Sequence, residues 1–125
     1  MESTYHSFED LWIWQEAMEI CYLVYEYMKD CRDYGLRNQR QDSAVSVPSN
    51  ISEGFELQSN RAFVRHLYIA KGSAAELRTQ MYVALNQNYI PDDKGKALIT
   101  RLKILGAAIQ RFIAIRKKVN RRHPL

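Results

Sequence analysis

The chain has 125 residues, enough for one domain that buries roughly two-thirds of its unfolded surface in a single core. Hydrophobic residues at 46% and charged residues at 26% are ordinary for a globular protein, and no apolar run approaches the ~20 residues that span a bilayer, so no membrane partner is expected. The net charge of +4 hides a polarity: residues 1–34 hold eight acids against Lys29 and Arg32, whereas residues 91–125 hold ten bases against Asp92 and Asp93. Such asymmetry points either to a nucleic-acid surface or to packing of one end of the chain against the other.

Residues 1–6 lack the basic and then apolar stretch of an export signal. Cys21 and Cys31 lie ten apart, with no paired-cysteine motif or histidine cluster, which argues against a disulfide framework or zinc site and for a reducing cytoplasm.

Four helices and no strand are predicted, all within one domain spanning residues 1–125. The first covers about 9–31. Leu11, Trp14, Met18, Cys21, Tyr25 and Met28 alternate by three and four, the spacing of a bundle seam. Ile13, Ala17, Ile20, Val24 and Tyr27 lie beside it, so the apolar arc exceeds one core face and favours oligomerisation. Trp12 and Trp14, with Tyr22, Tyr25 and Tyr27, read as core and interface aromatics rather than a base-stacking platform. Gly35 is the expected left-handed stop.

The second helix covers about 36–56, with Ala44, Val47 and Ile51 on one side. Pro48 removes an internal hydrogen bond and disfavours helical geometry at Val47. Either the helix continues with a kink or it restarts near Asn50, whose spacing to Glu53 resembles a capping box. The kinked, continuous helix is the preferred reading, with Asn50 and Glu53 as structural groups around the proline; the other role open to them is to line a pore or partner groove.

Ser59 is the expected N-cap of a third helix over 60–86, in which Phe63, Leu67, Ala70, Ala74, Leu77, Met81 and Leu85 keep helical spacing. Gly72 costs it about 1 kcal/mol of propensity, a cost that close approach of another helix would offset. A loop follows, and Asp92 is expected to cap a fourth helix over 93–119. Leu98, Leu102, Leu105, Ile109 and Phe112 point inward, while Lys96, Lys103, Gln110 and Lys117 recur every seven residues outside. Residues 120–125 form a basic tail. Short connections make neighbours antiparallel, giving an all-α, up-down-up-down four-helix bundle with a Pro-kinked second helix.

Several stretches together carry a resemblance: Phe8-Glu-Asp-Leu-Trp-Ile-Trp-Gln-Glu-Ala-Met18, Tyr34-Gly-Leu-x-x-Gln39, Ala44-Val-Ser-Val-Pro-Ser-Asn-Ile-Ser-Glu-Gly54, Ser59-x-x-x-Phe63, and residues 67–80. The chain resembles, over roughly residues 8–118, the four-helix-bundle family of proteins encoded in 23S rRNA intervening sequences. The resemblance implies an antiparallel bundle that assembles as a homopentamer. It extends to accessory proteins of diversity-generating retroelements, which partner a reverse transcriptase and bind RNA or DNA through basic surfaces. This chain departs from that pattern at Arg40-Gln-Asp42, at residues 55–58 and at Ala62. The first two changes remove positive charge from the second helix and shift a nucleic-acid role to the last.

Arg111, Arg116, Lys117, Lys118, Arg121 and Arg122 are therefore the candidate nucleic-acid contacts, because clustered cations release counterions from phosphates without reading sequence. The competing reading is a solvated helix end whose cations complement the helix dipole. An enzyme reading rests on Arg61 with His66, and on Arg116 with His123, spacings found in helical ribonucleases where arginine holds phosphate and histidine moves a proton. These are spacings without context, so no catalytic residue is expected. Glu53, Glu56 and Glu76 lack the Glu-x-x-His of di-metal bundles, so neither metal nor cofactor is expected. The function expected is a non-catalytic, homo-oligomeric binding module for RNA or DNA, accessory to a reverse-transcriptase ribonucleoprotein. A protein-only scaffold is the alternative.

Overall fold

The computed structural model describes residues 5–122, with side chains as far as Val119. A 3-10 turn, Phe8–Asp10, precedes four helices: α1 Trp12–Met28, α2 Tyr34–Glu56, α3 Asn60–Asn86 and α4 Asp92–Arg122. The described residues contain no strand, and the fold is an all-α four-helix bundle.

α1 is shorter than its apolar pattern predicts. The Asp10 carboxylate accepts the backbone N–H groups of His6 and Ser7 at 3.1 and 3.2 Å, and Leu11 is extended, so residues 8–10 turn separately before the helix starts. The helix stops at Met28, and Gly35 is not the stop: it lies in the first turn of α2, and no described glycine has positive φ. Asp33 sets the boundary instead, its side chain accepting Leu36 N–H at 3.1 Å as the N-cap of α2.

α2 runs unbroken through Pro48. An interior proline removes one helical bond, at a cost of about 3 kcal/mol or more. The neighbouring polar groups tie this stretch down. Asn50 Nδ2 donates to the Ser46 carbonyl at 2.9 Å and to Ser46 Oγ at 3.1 Å, while its Oδ1 meets His66 Nδ1 on α3 at 3.0 Å. Asn50 is thus a structural group, whereas Glu53 is exposed and the restart with its capping box does not form.

Cross-links from α2 to α3 descend one helix as they climb the other: Ser43 to Glu76 at 3.2 Å, Ser46 to Ser73 at 2.8 Å, then Asn50 to His66. The two helices therefore lie antiparallel. Lys71 to Gln110 and Asn60 to Arg116 show the same order between α3 and α4. Ser59 caps α3 as its sequence predicts, accepting Ala62 N–H at 3.3 Å. The start of α4 differs by one position: the Pro91 carbonyl accepts Gly95 N–H at 2.9 Å, and Asp92, inside the first turn, pairs with Lys96 at 2.8 Å.

The predicted seam of α1 holds at Leu11, Cys21 and Met28, which are buried in the core, and fails at its other members. Ile13, Ala17, Ile20 and Val24 are buried at the core, while Trp14 and Met18 are half-buried and Tyr25 is exposed. Across from them stand Ile51, Leu67, Leu77, Leu105 and Ile109, all essentially inaccessible, each contributing about 1.5–3 kcal/mol of apolar burial. Among the described residues the helix–helix approach expected at Gly72 is absent, since a Cβ there would meet nothing within 4 Å. Close approach occurs at Gly54, where a Cβ would lie 2.7 Å from His66 Cβ and 3.1 Å from Phe63 Cδ1.

Candidate nucleic-acid interface

After Asp93 the sequence contains no carboxylate side chain, so every charge along α4 beyond its first turn is positive. Helical register decides which of those charges reach solvent. Leu98, Leu102, Leu105 and Ile109 form the buried stripe, and the next positions on it are Ile113 and Arg116. Arg116 is accordingly buried, only 7% exposed. Its Nε donates to Asn60 Oδ1 at 2.8 Å, Asn60 Nδ2 donates back to the Arg116 carbonyl at 2.7 Å, and the guanidinium lies 5.4 Å from the Phe63 ring centre. Burial pulls its pKa below the usual arginine range. The placement corrects the expectation that Arg116 is a surface phosphate contact: it fastens α4 to the start of α3.

Arg111, Lys117 and Lys118 are exposed, with the Lys117 ammonium 4.9 Å over the Tyr68 ring. Arg121 and Arg122 end α4, and their side chains lie outside the described residues, as does all of His123.

Other cations are spent internally. Arg101 reaches Glu16 on α1 through Nε at 2.9 Å and Nη2 at 2.7 Å, a bidentate pair whose hydrogen bonds raise the arginine pKa. Part of the acidic-to-basic polarity of the sequence is thus satisfied within one chain. Arg40 is fully buried on α2, donating from Nε and Nη2 to the Gln80 carbonyl at 3.2 and 2.9 Å and from Nη1 to Met28 Sδ at 3.0 Å. Desolvation lowers its pKa, offset in part by the nearby Cys31 and Asp33. Sequence reasoning passed over its burial, although Arg40 stands four residues before Ala44 and seven before Val47 on the apolar stripe of α2.

Between α3 and α4 lies an open groove of about 320 Å³, with Lys71, Arg78, Lys103 and Gln110 among its lining and no acid. Lys71 Nζ donates across it to Gln110 Oε1 at 2.6 Å. Lys103 and Gln110 of the seven-residue repeat line this groove, while Lys117 stands over Tyr68. Among the described residues the ion pairs are Lys96–Asp92 and Arg101–Glu16, so none of these groove cations is neutralised.

The ribonuclease-like pair is not assembled. Five residues along a helix turn through about 500°, which leaves Arg61 and His66 roughly 140° apart around α3. Arg61 is exposed, and His66 is turned to Asn50. Among the described residues no three of His, Cys, Asp or Glu are grouped to hold a metal. A second groove of about 520 Å³, between α1 and α2, is largely apolar and lined by Trp14, Met18, Tyr22, Tyr25 and Pro48 among others.

The fold matches the crystal structure of a protein of unknown function from the S23 ribosomal protein family of Bacteroides thetaiotaomicron, with a TM-score of 0.75 and 18% identity over 81% of this chain and 97% of that one. No curated protein matches the chain in sequence. The family model of the 23S rRNA-intervening sequence proteins matches residues 9–111, from the turn before α1 through about the first two-thirds of α4, and the chain belongs to that family.

Proposed function

We propose that this protein is a non-catalytic nucleic-acid-binding bundle that works as a self-associated accessory of a ribonucleoprotein. The observation that carries the reading is the exposure of Arg111, Lys117 and Lys118 on a helix with no carboxylate side chain after its first turn. Each phosphate they neutralise releases counterions from the nucleic acid, so binding is strong at low salt and weakens steeply as salt rises. Fluorescence anisotropy with labelled RNA and DNA, titrated with salt, tests this. Replacing Arg111, Lys117 and Lys118 together by Gln is expected to weaken binding at least tenfold and to flatten the salt dependence. Unchanged binding in that variant would remove these residues from the interface, and no binding at low salt would end the nucleic-acid reading.

The apolar α1–α2 groove, with Tyr22 and Tyr25 exposed at its edge and Trp12 exposed on α1, favours contacts between copies. The same groove supports the second reading, a scaffold with protein partners alone. Native mass spectrometry separates the readings when combined with the anisotropy: an oligomer that ignores RNA and DNA supports the scaffold. The homopentamer and the reverse-transcriptase partner follow from the resemblance. Measured subunit number and co-purification with a reverse transcriptase encoded beside the gene are their tests.

A further inference from the structure

We propose that the α3–α4 groove is a track for single-stranded nucleic acid, with phosphates held by Lys71, Arg78 and Lys103 and unpaired bases stacked on Tyr68 and Tyr82. This rests on the nucleic-acid reading above and gives it a place and a substrate class. Lys71 and Arg78 are seven residues apart on α3, about 10 Å along its axis, and Lys103 faces them from α4. Packed helices stand about 8–10 Å apart, so cations on both rims reach one strand lying between them. The floor is low because it is built from Ala74, Ala75, Gly106 and Ala107, and a Cβ on Gly106 would meet nothing within 4 Å. A phosphodiester backbone therefore has room to sink between the rims.

The electrostatics select a polyanion. Lys71 is steadied by the neutral Gln110 amide, which orients the ammonium without cancelling its charge. Glu76, the one acid on α3, accepts from Ser43 and Gln80 in the α2 seam and does not line the groove.

Base faces separate a single strand from a duplex. Tyr82 lies one turn beyond Arg78, and Tyr68 lies about one turn before Lys71 beneath the Lys117 ammonium. The two rings are 42% and 51% exposed for Tyr68 and Tyr82 and stand about 21 Å apart along α3, bracketing the cations. Aromatic platforms interleaved with cations bind unpaired bases by stacking, irrespective of sequence, whereas a duplex keeps its base faces stacked on one another.

The test is anisotropy with labelled oligo(U), oligo(dT) and a duplex of equal length, on the full chain. Both single strands are expected to bind more tightly than the duplex, and their ranking reports whether the ribose 2′-hydroxyl is recognised. K71Q/R78Q/K103Q is expected to flatten the plot of log affinity against log salt by about two, since each phosphate contact on a single strand contributes about 0.7. K71R/R78K/K103R keeps the slope. Y68L/Y82L is expected to lower single-strand affinity fivefold or more with the slope unchanged, because stacking is not a counterion effect. A duplex that binds as tightly as the single strands, with Y68L/Y82L silent, overturns the track. So does undiminished binding by K71Q/R78Q/K103Q when R111Q/K117Q/K118Q weakens it, an outcome that leaves the nucleic-acid reading standing. A changed native mass in K71Q/R78Q/K103Q assigns the groove to a contact between copies and overturns the proposal. Failure of the parent protein to bind any of the three probes at low salt sinks both readings.

Discussion

The two flanks of α3 make opposite use of polar side chains. Toward α2, Gln80, Glu76, Ser73 and His66 each meet a partner, ending at Arg40, which is fully buried against the Gln80 carbonyl. Toward α4, past the Asn60–Arg116 clasp at the start of α3, Lys71 donates to a neutral amide, and Arg78 and Lys103 line an open groove. The first flank spends its polarity on holding two helices in register. The second leaves uncompensated charge outside a packed core, which is the arrangement suited to an external anion. A count of basic residues does not tell a buried, partnered arginine from an open one; the difference comes from where each helix turns its side chains.

The comparison breaks first at Arg40. Replacing it by Ala removes a side chain from a sealed site between α1, α2 and α3, and deletions of that size cost about 2–5 kcal/mol through lost contacts and the cavity left behind. Arg40→Met keeps most of the volume and discards the desolvated charge, so it should cost less than about 1.5 kcal/mol. Urea unfolding of the two variants measures the difference. Equal stability of Arg40→Ala and the parent would mean that the seam does not depend on this residue, and the contrast between flanks would lose its strongest member.

A smaller effect is expected at Gly54, on the same flank nearer the α2–α3 turn. An added methyl would overlap His66 Cβ, which is anchored to its own helix and cannot swing aside as a flexible chain end would. Overpacking of this kind costs about 1–3 kcal/mol. Gly54→Ala should therefore lower the thermal midpoint and, by pushing α3 outward, lengthen the His66–Asn50 hydrogen bond. An unshifted midpoint, together with an unchanged histidine Nδ1–H signal by NMR, would show that the helices are not pressed together there.

Much of the fold was legible because bundle helices announce themselves by period. The stripe from Phe63 to Met81 and the Ser59 cap placed α3 at 60–86, and the α4 stripe correctly named its inward residues from Leu98 to Ile109. The same period carried the answer for Arg40 and Arg116, which occupy inward positions on α2 and α4. Their charge masked it, because burying an arginine is usually prohibitive and is tolerated here only where carbonyl, amide or ring partners receive it. The α1 seam was half legible for a different reason: two apolar sets lay side by side, and the neighbouring helices bury members of both. The groove was half visible, since the seven-residue repeat of Lys103, Gln110 and Lys117 stood in the sequence, while its other rim on α3 needed the pairing of the two helices.

Gly72 gives the smallest effect and the most direct check on the open flank. In an exposed helix interior glycine is less favourable than alanine by about 1 kcal/mol, because it loses more backbone freedom on folding. Among the described residues nothing approaches Gly72, so Gly72→Ala should stabilise the isolated chain by up to about that amount. Gly54→Ala and Gly72→Ala are thus the same substitution with opposite signs, and measuring both under one set of conditions cancels the common gain in propensity. Suppose instead that Gly72→Ala destabilises the protein, and does so more at high protein concentration than at low. A second chain must then press against this turn, the methyl would be blocking it, and the outward face of α3 would belong to an assembly rather than to solvent.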